Sequence, residues 1–80
     1  MDRRAAEPEL LAHHFTQAGF TEAAIEWWGK AGQRSLARSA LAEGAEQLKR
    51  ALDQIATLPA TPALRREEIK LEVAFANALV

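Results

Sequence analysis

The chain has 80 residues, a net charge of −1 and no cysteine. That length allows one small domain, which buries only roughly 60–65% of its unfolded surface. The near-neutral charge creates no long-range field for nucleic acid or an anionic membrane, and disulfides and thiolate metal sites are excluded.

Much of the apolar content is alanine, so the core is expected to be thin and close-packed. No apolar run approaches the ~20 residues of a membrane span. The opening "MDRRAAEPEL" lacks the apolar segment of a secretory signal. A cytoplasmic location is therefore expected, with no membrane contact.

Nothing alternates in the manner of a half-buried strand, whereas apolar residues recur at steps of three and four. The expectation is an all-α chain of about four helices. Residues 1–7 are expected to fray ahead of one helical domain over 8–80.

The first predicted helix covers 8–18. Pro8 suits a first turn, where a missing N–H costs nothing. Leu11, Phe15 and Ala18 form its stripe, with Leu10 and His14 beside it, and Gly19 is a left-handed stop. Thr21 is the expected cap of a second helix over 22–38.

That second helix contains "IEWWGKAG". Adjacent helical residues point about 100° apart, so one stripe cannot hold both tryptophans. The helix is therefore expected to be covered on two flanks. Trp28 is assigned to the core. Trp27 is assigned to packing on a groove or against the first helix, with contact to a partner as the alternative.

Ser39 is the expected cap of a third helix over 40–58. Leu41, Ala45, Leu48, Leu52 and Ile55 follow a four-three-four-three spacing along it, and Glu46 can pair with Arg50. "LPATP" breaks the chain. Thr61 and Pro62 then read as cap and first turn of a fourth helix over 62–80. Leu64, Leu71, Phe75 and Ala78 form one stripe of that helix. Ile69, Val73, Ala76 and Val80 form a second, and a homodimer through this last helix is the expected way to cover it. Short loops make neighbouring helices antiparallel.

The chain also resembles itself. Displaced by 20 residues, Ala12 falls on Gly32, Gly19 on Ser39, Ala24 on Gly44, Trp28 on Leu48 and Ala31 on Ala51. "WGKAG" supplies a large aromatic, Trp28, with a small residue, Gly32, four positions on. "EGAEQLKRAL" supplies the small–large–small series Gly44, Leu48, Ala51. A weaker copy runs through Ala12, Phe15, Gly19, Ala24, Trp28 and Ala31. This pattern resembles the tetratricopeptide (TPR) repeat. Ser35 departs from it where the family has an aromatic, and Ser39 where it has glycine. Over 8–80 the chain further resembles the repeat region of large bacterial signalling proteins that carry nucleotide cyclase and predicted ATPase domains ahead of such helices. The resemblance implies antiparallel hairpins stacked as a right-handed repeat. It also implies a fragment of a longer chain whose catalytic domains lie elsewhere.

Chemistry is sparse. His13 and His14 diverge on a helix and lack a third ligand, so no metal is expected. Neither Ser35 nor Ser39 has an activating base at a useful spacing. "RREE", 65–68, reads as a solvated face, and no phosphate-binding glycine loop is present. No enzyme activity and no cofactor are expected. "HFTQAGFTEAAIEWW" has the outline of a helix-turn-helix, but its second helix opens with acidic and apolar residues. DNA binding is thus the alternative to a protein-interaction module. The candidate partner surface is Trp27, Gln33, Arg34 and Arg38.

Overall fold

The computed structural model describes residues 8–79. The expected fraying of 1–7, and Val80 in the second apolar stripe, fall outside the described residues. Four helices follow in order: α1 (Pro8–Ala18), α2 (Thr21–Ala37), α3 (Leu41–Ile55) and α4 (Pro62–Ala78). No strand occurs among the described residues. No helix among them is long and apolar enough to cross a membrane.

The first two connections are the same device used twice. After α1, Gly19 takes φ +82°. Phe20 N–H donates to the Phe15 carbonyl at 3.0 Å, and Gly19 N–H to that of Thr16 at 3.2 Å. This pairing satisfies the orphan carbonyls of a helix end, and the apolar contact that accompanies it is present: the Phe15 and Phe20 rings stand 6.1 Å apart. After α2, Ser39 takes φ +64°. Ala40 N–H donates to the Ser35 carbonyl at 2.8 Å, and Ser39 N–H to that of Leu36 at 2.9 Å. Every position has moved by 20 residues.

That device corrects two expected caps. Thr21 does not cap α2; it is the first helical residue, and Phe20 occupies the cap position without a side-chain bond. Ser39 does not cap α3; Ala40 takes that position, again without a side-chain bond. Each turn is so tight that the residue closing one helix also opens the next, which leaves Ser39 to make the left-handed bend. Thr61 does behave as expected: its Oγ1 accepts from Leu64 N–H at 3.1 Å, with Pro62 following. The third helix ends three residues before its expected limit. Its last bonds tighten to three-residue spacing at Thr57 and Leu58, since Pro59 disfavours helical geometry in the residue before it.

Packing follows the chain. α2 packs most extensively on α3 and next on α1, α3 packs on α4, and α2 meets α4 only at an edge. The result is a slab of 38 × 33 × 16 Å, not a closed bundle with α1 against α4.

Trp28 holds three helices together. It is 1% exposed, and its indole N–H donates to Thr16 Oγ1 of α1 at 2.9 Å. The His13 ring meets it edge-on at 4.7 Å, and the Arg50 guanidinium of α3 lies 5.1 Å from its ring centroid. Burying one tryptophan removes roughly 150–250 Å² from water, on the order of 4–6 kcal/mol. In a core made largely of alanine that is the largest single contribution. Trp27 is half-buried and packs against the same core.

Close approach of α2 and α3 occurs at two glycines. A Cβ on Gly32 would lie 2.6 Å from Leu48 Cγ and 3.3 Å from the Gly44 carbonyl oxygen. One on Gly44 would lie 2.8 Å from Leu36 Cδ2 and 3.2 Å from the Gly32 carbonyl oxygen. The 20-residue counterparts of this pair are Ala12 and Ala24, both fully buried. On α3 the buried face is centred on Gly44, Leu48, Ala51 and Ile55, with Leu41 left exposed. On α4, Leu71 and Ala78 are buried, while Ile69 and Val73 are more than half exposed.

Two outcomes follow from these contacts. A non-glycine residue in left-handed geometry costs roughly 1 kcal/mol. Ser39→Gly should therefore raise unfolding free energy by about 0.5–1 kcal/mol and Gly19→Ala lower it by a similar amount, as read by urea denaturation. In the same assay Gly32→Ala should lose about 1–2 kcal/mol, despite a helix-propensity gain of ~1 kcal/mol. Gly29→Ala, whose Cβ meets the ends of two side chains, Leu71 at 3.2 Å and Glu67 at 3.9 Å, should stay within about 1 kcal/mol of the parent. A Gly32→Ala chain as stable as the parent contradicts the close approach.

Candidate functional site: the cleft between α2 and α4

α3 returns the chain between α2 and α4, so these two helices run in the same direction. They touch only slightly, and a cleft of about 700 Å³ lies between them. Buried Ile25, Gly29 and Leu71 form its floor together with half-buried Leu64. Gly29 matters there because Leu71 lies directly over its bare backbone. The floor is already dry: Ile25 and Leu71 are buried. Apolar contact for an occupant comes from Leu64, Ala63 and the stems of the lining lysines.

The rim is charged. α2 contributes Glu22, Glu26, Lys30 and Gln33, at spacings of four, four and three that keep them on one side of the helix. α4 contributes Glu67 and Lys70, and Thr61 closes one end. Lys30 Nζ lies 3.5 Å from the Glu26 carboxylate and 4.8 Å above the Trp27 ring. Exposed pairs of this kind contribute at most about 1 kcal/mol and hold no fixed geometry. Among the described residues Glu22, Glu67 and Lys70 form no ion pair.

The expected partner surface is spread over three places. Gln33 lines the cleft. Trp27 lies outside it, half-buried under Lys30. Arg34 and Arg38 share a crevice of about 30 Å³ with Pro8, Glu9 and Gln47, and Arg38 reaches Glu43 at 3.8 Å. Sequence reasoning missed the lining charges on both helices. The available signal was the spacing of Glu22, Glu26 and Lys30 on one helical side, opposite the tryptophan that enters the core.

The other candidates have structural surroundings. Ser35 is buried, and its hydroxyl donates to Gln47 Oε1 at 2.6 Å. It fills the position of the first hairpin's Phe15 with a hydrogen bond instead of a ring. Ser39 makes the left-handed bend. His13 packs edge-on to Trp28 and lies 3.9 Å from Glu9, while His14 meets the Phe15 ring at 5.3 Å. Both histidines keep more than a third of their surface in solvent. No group of three or more histidine or carboxylate side chains converges among the described residues.

Comparison with known proteins finds no family model, no curated protein and no solved structure that matches this chain.

The Ser35–Gln47 bond yields a sharp expectation. Ser35→Ala leaves a buried amide oxygen without its donor and should cost about 1–3 kcal/mol. Ser35→Ala with Gln47→Leu removes both polar groups and should recover most of that loss. Equal instability of the single and double variants in urea denaturation would show that the bond does not matter.

Proposed function

We propose that the chain is a non-catalytic, tetratricopeptide-like helical-repeat module that holds a segment of a partner protein in the cleft between α2 and α4. The observation that carries this reading is the recurrence of one turn at 20 residues, bent at Gly19 and again at Ser39, with fully buried Ala12 and Ala24 at the positions where Gly32 and Gly44 approach each other in the second hairpin. Repetition of one hairpin geometry builds an open stack, and open stacks present concave surfaces that bind partners. The slab shape, with α2 and α4 both packed on α3 and only slightly on each other, supports the same reading. Against the helix-turn-helix alternative, the first turn of α2 carries Glu22 and no cation, where a recognition helix needs donors for phosphates and base edges.

Panning a display library of helical peptides against the chain tests this. Ala63→Trp with Gln33→Trp fills the cleft from exposed positions and serves as the control, its fold checked by circular dichroism. Peptides enriched on the parent and lost on the filled variant are the expected result. No such peptides, or salt-dependent binding of duplex DNA in their place, would overturn the proposal.

A further inference from the structure

α4 buries Leu71, Ala74 and Ala78 against the stack. On its opposite side Pro62, Ile69, Val73 and Ala76 are exposed, Ile69 at 52% and Val73 at 57%. Isoleucine and valine favour a helix less than straight-chain residues do, so helix formation does not account for them. Their spacing does: 62, 69, 73 and 76, with Arg66 completing the series, is the three-and-four seam of two helices packed side by side. The charges beside this seam are unevenly placed. Arg65 and Glu72 stand on one flank, seven residues apart, and Lys70 stands on the other. Arg65 Nε lies 3.9 Å from Glu68, an exposed pair that holds no fixed geometry. Glu72 forms no ion pair among the described residues. Within one turn on its own helix it meets Glu68, Ile69, Phe75 and Ala76, and hence no cation.

From this pattern we infer that two copies of the chain pair through the outer face of α4, antiparallel about a two-fold axis close to Glu68 and Ile69, with Arg65 of each copy against Glu72 of the other. The flanking charges choose the direction. In a parallel pair opposite flanks meet, and each Arg65 faces Lys70 of the other copy, like charge against like. In an antiparallel pair equal flanks meet, and Arg65 can face Glu72. The charges also choose the register. Setting Ile69 on Val73 brings Glu72 against Glu72 and Lys70 against Lys70. Displacing the pair by seven residues sets Val73 on Pro62, brings the two Ile69 side chains beside each other, and joins Arg65 to Glu72 twice. A face that is complementary to itself in one register is what a two-fold interface requires, so the occupant is a second copy. The contact is one helix of 17 residues, about 25 Å long, and its buried area falls below the ~1,200 Å² of a standard interface. The dimer is therefore weak, and its charges govern orientation more than strength.

Sedimentation equilibrium at low salt, from about 10 μM to about 1 mM chain, tests the inference. The parent should pass from monomer to dimer over that range. Arg65→Glu sets carboxylate against carboxylate across the axis, and Glu72→Arg sets guanidinium against guanidinium. Each variant alone should associate about tenfold more weakly, with helicity by circular dichroism unchanged, since both positions are exposed. An equimolar mixture of the two should recover the parent's association, because each copy then supplies the charge that the other needs. Added salt should narrow the difference between parent and variants. Val73→Lys, at another exposed position, should leave a folded monomer. A parallel dimer would respond in the opposite sense, since Arg65→Glu would then meet Lys70 and strengthen it. The inference is overturned by a parent that stays monomeric at about 1 mM, its face left to some other partner. It is equally overturned by a dimer that Arg65→Glu strengthens or leaves unchanged, by one that survives Val73→Lys, or by a mixture that associates no better than its components.

Discussion

The closeness of α2 and α3 is the constraint on which the rest depends. Two glycines face each other's backbones, and each lets a leucine of the opposite helix lie where a Cβ would be. Dispersion falls steeply with distance, so this approach gives a core with few large residues enough contact to be stable. It also places Ser35 within reach of Gln47 and Arg50 over the Trp28 ring. Push the two helices apart by the width of a methyl group, and both contacts lengthen along with the leucine packing. The fourth helix would move as well, because it is carried by α3.

The hairpin of α1 and α2 repeats the turn of the second, with alanine at the matching helix positions. Ala12 and Ala24 stand where the second hairpin has glycines, and Gly19 stands where it has Ser39. The two hairpins share their backbone plan and differ in which position is relaxed. α2 belongs to both, which is why it carries seven buried residues and holds Trp28 facing inward from both sides.

Much of this was legible in the residues. The four helices, the left-handed stop at Gly19, the Thr61 cap and the Trp28 anchor all rest on local chemistry that a sequence displays. The two missed caps have a common cause. Thr21 and Ser39 are good cap residues taken singly, but a turn that serves two helices at once leaves no room for a separate cap. The 20-residue correspondence of Gly19 with Ser39 already held that information, and cap preference concealed it. The site was less visible. Which helices flank one another across α3 is a tertiary fact, so Glu67 reads only as part of a solvated face, and nothing singles out Lys70, until α4 is placed beside α2. Residue type and position along α2 single out Trp27, Arg34 and Arg38, and neither says which side of a stack a helix turns toward a neighbour.

The edge contact between α2 and α4 gives the cleft a mechanical character. α4 is anchored to the stack almost wholly through α3 and leans only lightly on α2. A molecule lying across both would act as a strut between walls that are otherwise joined at one seam. Its binding energy would be shared with the docking of α4, so occupancy and stiffness of that end of the stack rise together.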